Sequence, residues 1–303
     1  IIMAYNKNLL PDYVEQNKSE LMSATILSPK SIDNFSMMSG LHSATTLNNF
    51  ANDLVFQDGK SCGFNPEGDT TFSQRTINPG IIKINMEWCD KDLIDKYMTH
   101  EVMIGANRTT MPFEEKICSD IVTKVSNELE KLLWQGDKAA GTGNMAFTDG
   151  LVKLCNADQA LINNVTFDAD DTIIDKINKV YMAIPEEVLD KAVIYVSPAQ
   201  FREYAMQCTA LNLYHYTTEM DPSRELIIPG TDTKIRMAMG LTGVSNIYAF
   251  VDDEIVYGFD SSEDYSDFKL WFSDDNDVYR LKISFAAGIQ YRFPQHIVVG
   301  KNA

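Results

Sequence analysis

A chain of 303 residues with 45% hydrophobic content has material for one large core or two modest ones, and three Trp, 13 Tyr and 15 Phe argue against a disordered protein. Its 26 basic and 43 acidic residues leave a formal net charge of −17. That excludes tight, nonspecific wrapping of nucleic acid by the whole surface, because phosphates need Lys and Arg partners.

No run approaches the ~20 apolar residues of a membrane span, and the opening residues have no basic-then-apolar signal peptide character. Cys62, Cys89, Cys118, Cys155 and Cys208 are scattered without a C-x-x-C, which reads as buried free thiols in a reducing compartment. The expectation is a soluble cytosolic protein.

Residues 1 to about 55 are polar and weakly patterned. SPKSIDNF and SATTLNNFAND each set Ser or Thr before a short apolar patch, which predicts short helices. Nothing in this segment encloses a core, so it reads as an arm laid over another surface. From Leu54 to Cys89 the pattern turns to β: LVFQDG predicts a strand, and KSCGFNPEGD is turn-rich. TTFSQRTINPGIIKINMEWC then alternates around Asn78-Pro79-Gly80, with Ile82, Ile84 and Met86 on one face. The result is a long hairpin that is marginal alone and needs a partner surface.

DKDLIDKYMTHEVM predicts a short helix. A long one follows from Pro112 to Gln135, where Ile117, Ile121, Val125 and Leu129 recur at helical spacing with Cys118, Val122, Leu132 and Leu133 beside them. Thr109 or Thr110 suits its N-cap, Glu114 and Glu115 its positive end, and Gly136 its C-cap. A Gly-rich turn and an F-x-D-G-L strand come next. DADDTIIDKINKVYMAIPEEVLDKA predicts a helix capped near Asp170 or Asp171, Ala192–Val196 a buried strand, and Ser197-Pro198 the start of another helix. Strands alternate with short helices through NIYAFVDDEIVYGFD, and DFKLWFSDD and VYRLKISFAAGIQYRF close the chain as long strands, ended by Pro294. The fold class is α+β, with the second region inserted into the first.

Candidate chemistry is sparse. GTGNMA (Gly141 to Ala146) matches the dinucleotide pattern G-x-G-x-x-A, but it follows a helix where that motif needs a strand, so it reads as a turn. Carboxylates crowd Asp252 to Asp277: Asp252, Asp253, Glu254, Asp260, Glu263, Asp264, Asp267, Asp274, Asp275 and Asp277. A calcium loop would need a Gly after its third ligand and a distal Glu, so the stretch reads as a solvated loop, with divalent binding at a subunit contact as the alternative. His42, His100, His215 and His296 never pair at metal-ligand spacing, and no H-E-x-x-H, G-x-S-x-G or P-loop motif occurs. Tyr214-His215-Tyr216 and Trp271-Phe272 read as core or subunit-contact aromatics rather than a base-stacking platform. No residue is assigned a catalytic, cofactor-binding or metal role, and no cofactor is expected.

Taken in order, these parts resemble the major capsid proteins of tailed phages, the Hong Kong 97-type shell fold. LLWQGDKAAGTGNMAFTDGL looks like the family's exit from its spine helix, AVIYVSPAQFREY like the central strand and helix of its axial domain, and VYRLKISFAAGIQYRFPQHIVV like its closing strands. The resemblance covers roughly residues 50 to 300. It implies an N-terminal arm (1–55), an extended loop hairpin (56–89), a peripheral domain (90–150 and 262–303) with spine helix 112–135, and an inserted axial domain (151–261).

It further implies a structural protein, not an enzyme: a major capsid subunit that self-assembles into pentamers and hexamers of an icosahedral head shell. That shell would enclose double-stranded DNA contacted weakly and without sequence specificity, and an acidic wall would let the packed polyanion slide. The implied place is the virion, after assembly in the bacterial host cytoplasm, with scaffold, portal or decoration proteins as further partners and no membrane.

Some members weld loop Lys to a neighbour's Asn with help from a Glu. Lys60 and Lys83 lie in the loop region here, yet no motif assigns the Asn or Glu, and that chemistry is not carried over. Some members also shed an N-terminal scaffolding segment, and the arm fits either the product of such cleavage or a chain that never had one. The alternatives are an encapsulin-like nanocompartment, a tail-tube or decoration protein (opposed by the long helix), and an α/β enzyme with a deep polar pocket.

Overall fold

The computed structural model describes residues 9–58, 64, 66–89, 91–92, 113–140, 142–211, 225–260 and 267–302. The chain opens with helices α1 (Leu9–Gln16) and α2 (Lys18–Leu27), followed by strands β1 (Ser36–Ser39), β2 (Thr45–Asp53), β3 (Asp69–Ile77) and β4 (Gly80–Cys89). The long helix α3 (Phe113–Gln135) and the short α4 (Leu151–Ala157) lead to β5 (Asn163–Phe167), α5 (Ile173–Met182), β6 (Ala192–Val196) and α6 (Pro198–Ala210). Strands β7 (Glu225–Ile227), β8 (Lys234–Met237), β9 (Ile247–Val251), β10 (Ile255–Asp260), β11 (Asp267–Ser273), β12 (Val278–Tyr291) and β13 (Val298–Asn302) complete it. The expected short helix at 90–103 and the N-cap of the long helix lie outside the described residues, apart from residues 91 and 92, which are helical.

Two sheets organise these elements. One has the order β1-β10-β12-β11 with β4 along the other side of β12; the second runs β5-β13-β9-β6-β8-β7. At 23 residues and ~1.5 Å each, α3 is a rod of roughly 35 Å. Most of its predicted stripe is buried: Cys118, Ile121, Val122, Leu129, Leu132 and Leu133 are under 10% exposed, while Ile117 and Val125 are half-buried against the core. Near its C-terminus a second face is buried too, and Trp134 meets Tyr195, Tyr248 and Phe250 at ring distances of 5.3, 6.4 and 6.1 Å. These aromatics alternate along β6 and β9 with Ile194, Val196, Ile247 and Ala249, which pack on the α5 and α6 side. Period-two alternation thus gives the six-stranded sheet two apolar faces.

Several sequence expectations are corrected. SATTLNNFAND forms β2, not a helix, because Leu47 and Asn49 alternate inward while each residue pairs with β3 from Thr45↔Ile77 to Asp53↔Asp69. Leu54 to Asp58, expected as a strand, has no regular structure. The hairpin therefore joins β2 to β3. After the Asn78-Pro79 break, β4 leaves it for a ten-residue ladder with β12, which lets Ile82 face the core.

Gly136 is not a left-handed cap, since the described glycines with positive φ are Gly40, Gly143, Gly230 and Gly243. It is needed because a Cβ there would lie 2.3 Å from the Thr148 carbonyl oxygen. The F-x-D-G-L stretch runs into helix α4, where Leu151 and Cys155, four apart, are both buried. The cap of α5 is Thr172: its hydroxyl accepts from the Asp175 N–H, while the Asp175 carboxylate accepts from the Thr172 N–H at 3.1 Å.

Candidate assembly interface

The arm is part of the core. Leu10, Val14, Leu21, Met22 and Ile26 pack with α3, and Lys18 reaches Asp267 at 2.8 Å. Ser31 ties the arm to the spine: its Oγ donates to Glu130 Oε1 (2.5 Å) and its N–H to Oε2 (3.1 Å). Trp134 Nε1–H in turn donates to Ser31 Oγ at 2.9 Å. All three residues are buried, and the helical pattern gave no warning that Glu130 lies on an inward face. Met37 and Met38 belong to β1, which pairs in parallel with β10 as the edge of the five-stranded sheet, and Met37 is half exposed.

Among the described residues the β2–β3 ribbon is anchored at its root. Leu47 and Ile77 join Leu41 and Val256 in a small cluster. Asn49 Nδ2 donates to the Arg292 carbonyl at 2.9 Å, and Gln290 Nε2 to the Thr76 carbonyl at 2.9 Å. The Arg75 guanidinium lies over the Tyr291 ring, 4.3 Å from its centroid, and pairs with Asp158, whose Oδ2 also accepts from Tyr291 Oη at 2.6 Å. Burial pushes the Asp158 pKa up, but the hydrogen bonds from Tyr291 and Arg75 outweigh it and hold the carboxyl below its ordinary value.

Beyond this root burial stops. Phe50 and Phe72, cross-strand partners, are 64% and 79% exposed, and Leu54, Val55, Phe56 and Phe64 are exposed as well. A two-stranded ribbon with large apolar side chains in water is marginal by itself and marks an interaction surface.

A second feature lies on the body. Among the described residues β4 pairs only with β12, which leaves its outer edge open. A groove of about 270 Å³ runs between β4 and α3, floored by Ile82, Val125, Leu129 and Phe285, with Lys83, Lys124 and Phe147 among its walls.

The acidic stretch is not one solvated loop. Asp252 accepts from Tyr195 Oη at 2.7 Å and pairs with Arg236, which also pairs with Glu225. Burial raises the Asp252 pKa despite those partners. Glu254, raised mainly by burial, meets His296 Nδ1 at 2.7 Å, and the fully buried Asp260 meets His42 Nδ1 at 2.6 Å. These carboxylates fold inward because each has a cation or a histidine from a distant element. Asp274, Asp275 and Asp277 sit at the β11–β12 turn, where Asp277 adopts φ 52°, and Glu263 and Asp264 lie outside the described residues.

No group of three or more His, Cys, Asp or Glu among the described residues is arranged to hold a metal ion. In GTGNMA, residues 142–146 form a turn that returns the Met145 carbonyl to the Asp137 N–H at 2.7 Å. Trp271 is partly exposed, and Phe272 packs edge-on to Tyr279 at 5.0 Å. Cys118, Cys155 and Cys208 are buried free thiols and Cys89 is exposed. His100, Tyr214 to Tyr216, Lys60 and Cys62 lie outside the described residues, and no described helix is long and apolar enough to cross a membrane.

No family model and no curated protein matches the chain. Solved structures do. A chain of the satellite phage P4 procapsid, a structure that includes the size-determination protein, aligns over 94% of this chain and 91% of its own at TM-score 0.63 and 8% identity. The cyanophage A-1(L) capsid aligns over 91% of both chains at TM-score 0.60 and 11% identity. The virus-like particle from Pyrococcus furiosus aligns over 94% and 98% at TM-score 0.53 and 10% identity. At so low an identity the likeness is one of fold. The chain has the Hong Kong 97-type fold of tailed-phage capsid proteins.

Proposed function

We propose that this chain is a major capsid subunit, a structural protein without catalytic, cofactor or metal residues, that assembles with copies of itself. One observation carries the reading: a ribbon rooted in the core presents the Phe50–Phe72 pair, 64% and 79% exposed, in a fold shared with phage capsids. Pentamers and hexamers would form an icosahedral head shell around double-stranded DNA. Scaffold, portal or decoration proteins are further partners, and assembly precedes the virion in the bacterial host cytoplasm. The net charge of −17 supports weak, sequence-independent contact with the enclosed polyanion.

In this reading residues 1–55 supply the arm and the first ribbon strand, 56–89 the rest of the extended loop and β4, 90–150 with 262–303 the peripheral domain, and 151–261 the axial domain. The full-length match to a virus-like particle favours a second reading, a cargo-filled nanocompartment of the encapsulin kind.

The test is particle size, by light scattering and negative-stain microscopy across a concentration series, with the nucleic-acid content of any particle measured alongside. Closed thin-walled particles or regular rings are expected, and DNA filling in phage-producing cells separates capsid from compartment. A strict monomer or dimer at every concentration, both alone and co-expressed with its neighbouring genes, overturns the shell reading.

A further inference from the structure

We infer that the Glu254–His296 pair is a proton-dependent clasp on the joint between the two sheets, closed in mild acid and loosened as the pH rises. Two connections pass directly from a strand of one sheet to a strand of the other. The Asp252–Glu254 turn leads from β9 to β10, and residues 292–297, with the Pro294–His296 turn, lead from β12 to β13. Both are short, so a change in the angle between the sheets has to be absorbed by these residues.

The two connections lie against each other. The Arg292 N–H donates to the Glu254 carbonyl at 2.9 Å, and Glu254 Oε1 meets His296 Nδ1 at 2.7 Å, with both side chains less than a fifth exposed. The Phe293 ring lies 5.3 Å from the imidazole. Other elements bear on the same turns: Ser36 Oγ of β1 donates to the Asp253 carbonyl at 2.7 Å, and Asn49 Nδ2 of β2 to the Arg292 carbonyl at 2.9 Å. On the far side Asn163, at the start of β5, donates its N–H to the Ile297 carbonyl at 2.9 Å. A weakened clasp is therefore felt by both sheets and by the strands that lean on them.

The charges around the clasp set its direction. Asp252, on the same turn, is held by Arg236 and by Tyr195 Oη, and Asp253 is exposed. Lys191, just ahead of β6, and Arg292 are the further cations acting on Glu254. Burial raises the Glu254 carboxyl above its ordinary value, and the His296 hydrogen bond and those cations offset only part of that. The folded chain thus holds this proton more tightly than the unfolded one. The stability it contributes is present below the unfolded value of about 4.3 and is lost as pH rises through the folded value. With the extra proton on either the carboxyl or the ring, the pair is neutral overall. Without it, a carboxylate facing a neutral imidazole stays buried in the joint, and its desolvation cost falls on the two connections.

The test is amide hydrogen exchange of the full chain from about pH 5 to about pH 8, corrected for the intrinsic pH dependence of exchange and read on peptides covering 252–256 and 292–297. In the parent both turns should exchange roughly tenfold faster at the upper pH than at the lower, while the middle of β12 keeps its protection. Glu254→Gln, which cannot ionise, should stay protected throughout. His296→Phe keeps a ring but removes the hydrogen bond that holds the Glu254 carboxyl down, so the change should move to higher pH. Asp252→Asn should leave it in place.

A parent whose turns show no pH dependence overturns the proposal, and this series needs no variant to fold. A dependence that persists in Glu254→Gln, or one that Asp252→Asn abolishes, overturns it as well. None of these outcomes bears on the shell reading, which particle size decides.

Discussion

Replacing Trp134 by Ala tests how the arm, the spine helix and the six-stranded sheet are held together. The indole is fully buried and sits among Phe35, Tyr195, Tyr248 and Phe250 at ring distances between 5.3 and 6.4 Å. A side chain of this kind buries roughly 200 Å², and at ~25 cal/mol/Å² its transfer contributes about 5 kcal/mol. The observed range for such truncations is about 3–5 kcal/mol, set by how far the surroundings collapse into the cavity. Collapse is limited here, because three of the four neighbouring rings are fixed on strands β6 and β9 of the six-stranded sheet.

The lost Nε1–H bond to Ser31 Oγ adds about 1 kcal/mol. The expected cost of Trp134→Ala is about 5 kcal/mol, a third or more of the roughly 5–15 kcal/mol that holds a domain folded. Trp134→Phe, which keeps most of the volume, should cost about 2 kcal/mol. Guanidinium unfolding of the unassembled subunit, followed by far-ultraviolet circular dichroism so that loss of the indole does not alter the signal, gives both values. A Trp134→Ala midpoint indistinguishable from the parent would refute the packing argument.

Four further outcomes are expected. Leu129→Asp should yield no folded subunit, because it buries an unpaired charge in a position 2% exposed; a normal thermal transition would show the stripe to be solvated. Gly240→Ala places a Cβ 2.2 Å from Trp134 Cδ1 and 2.6 Å from the Glu130 carbonyl oxygen, and should cost about 1–3 kcal/mol or more in the same unfolding assay.

Asp158→Asn should blunt acid sensitivity. A carboxyl whose folded pKa is depressed stabilises the fold above its unfolded value of about 3.9 and loses that contribution as pH falls through the folded value. The difference between parent and variant should therefore close below pH ~4, read as unfolding midpoints across an acid series. Cys89 should react with maleimide in the native subunit, whereas Cys118 and Cys155, whose thiols burial pushes up to about 12, should react only on unfolding, as read by peptide mass spectrometry.

The sequence by itself determined what depends on neighbours a few residues away. The 3.6-residue stripe of α3, the all-apolar run of β6, the Ser197-Pro198-x-Gln200 start of α6 and the long closing strand β12 all stand where their local patterns put them. These signals are legible because helical faces, caps and alternating strands are written in short spacings.

Only the tertiary structure decided the rest. Whether Gly80–Cys89 continues a hairpin or joins β12 is a choice between partners that alternation cannot distinguish, since either leaves Ile82 on the same face. Glu130, Asp252, Glu254 and Asp260 look alike in sequence to any surface acid. Their burial follows from Ser31, Arg236, His296 and His42, which stand between 16 and 218 positions away. Gly136 and Gly150 look like ordinary turn residues, yet they are required because two backbone segments meet where no Cβ fits. The ribbon's phenyl pair is the plainest case: in sequence Phe50 and Phe72 pass for core residues, and it took the fold to show that both are exposed.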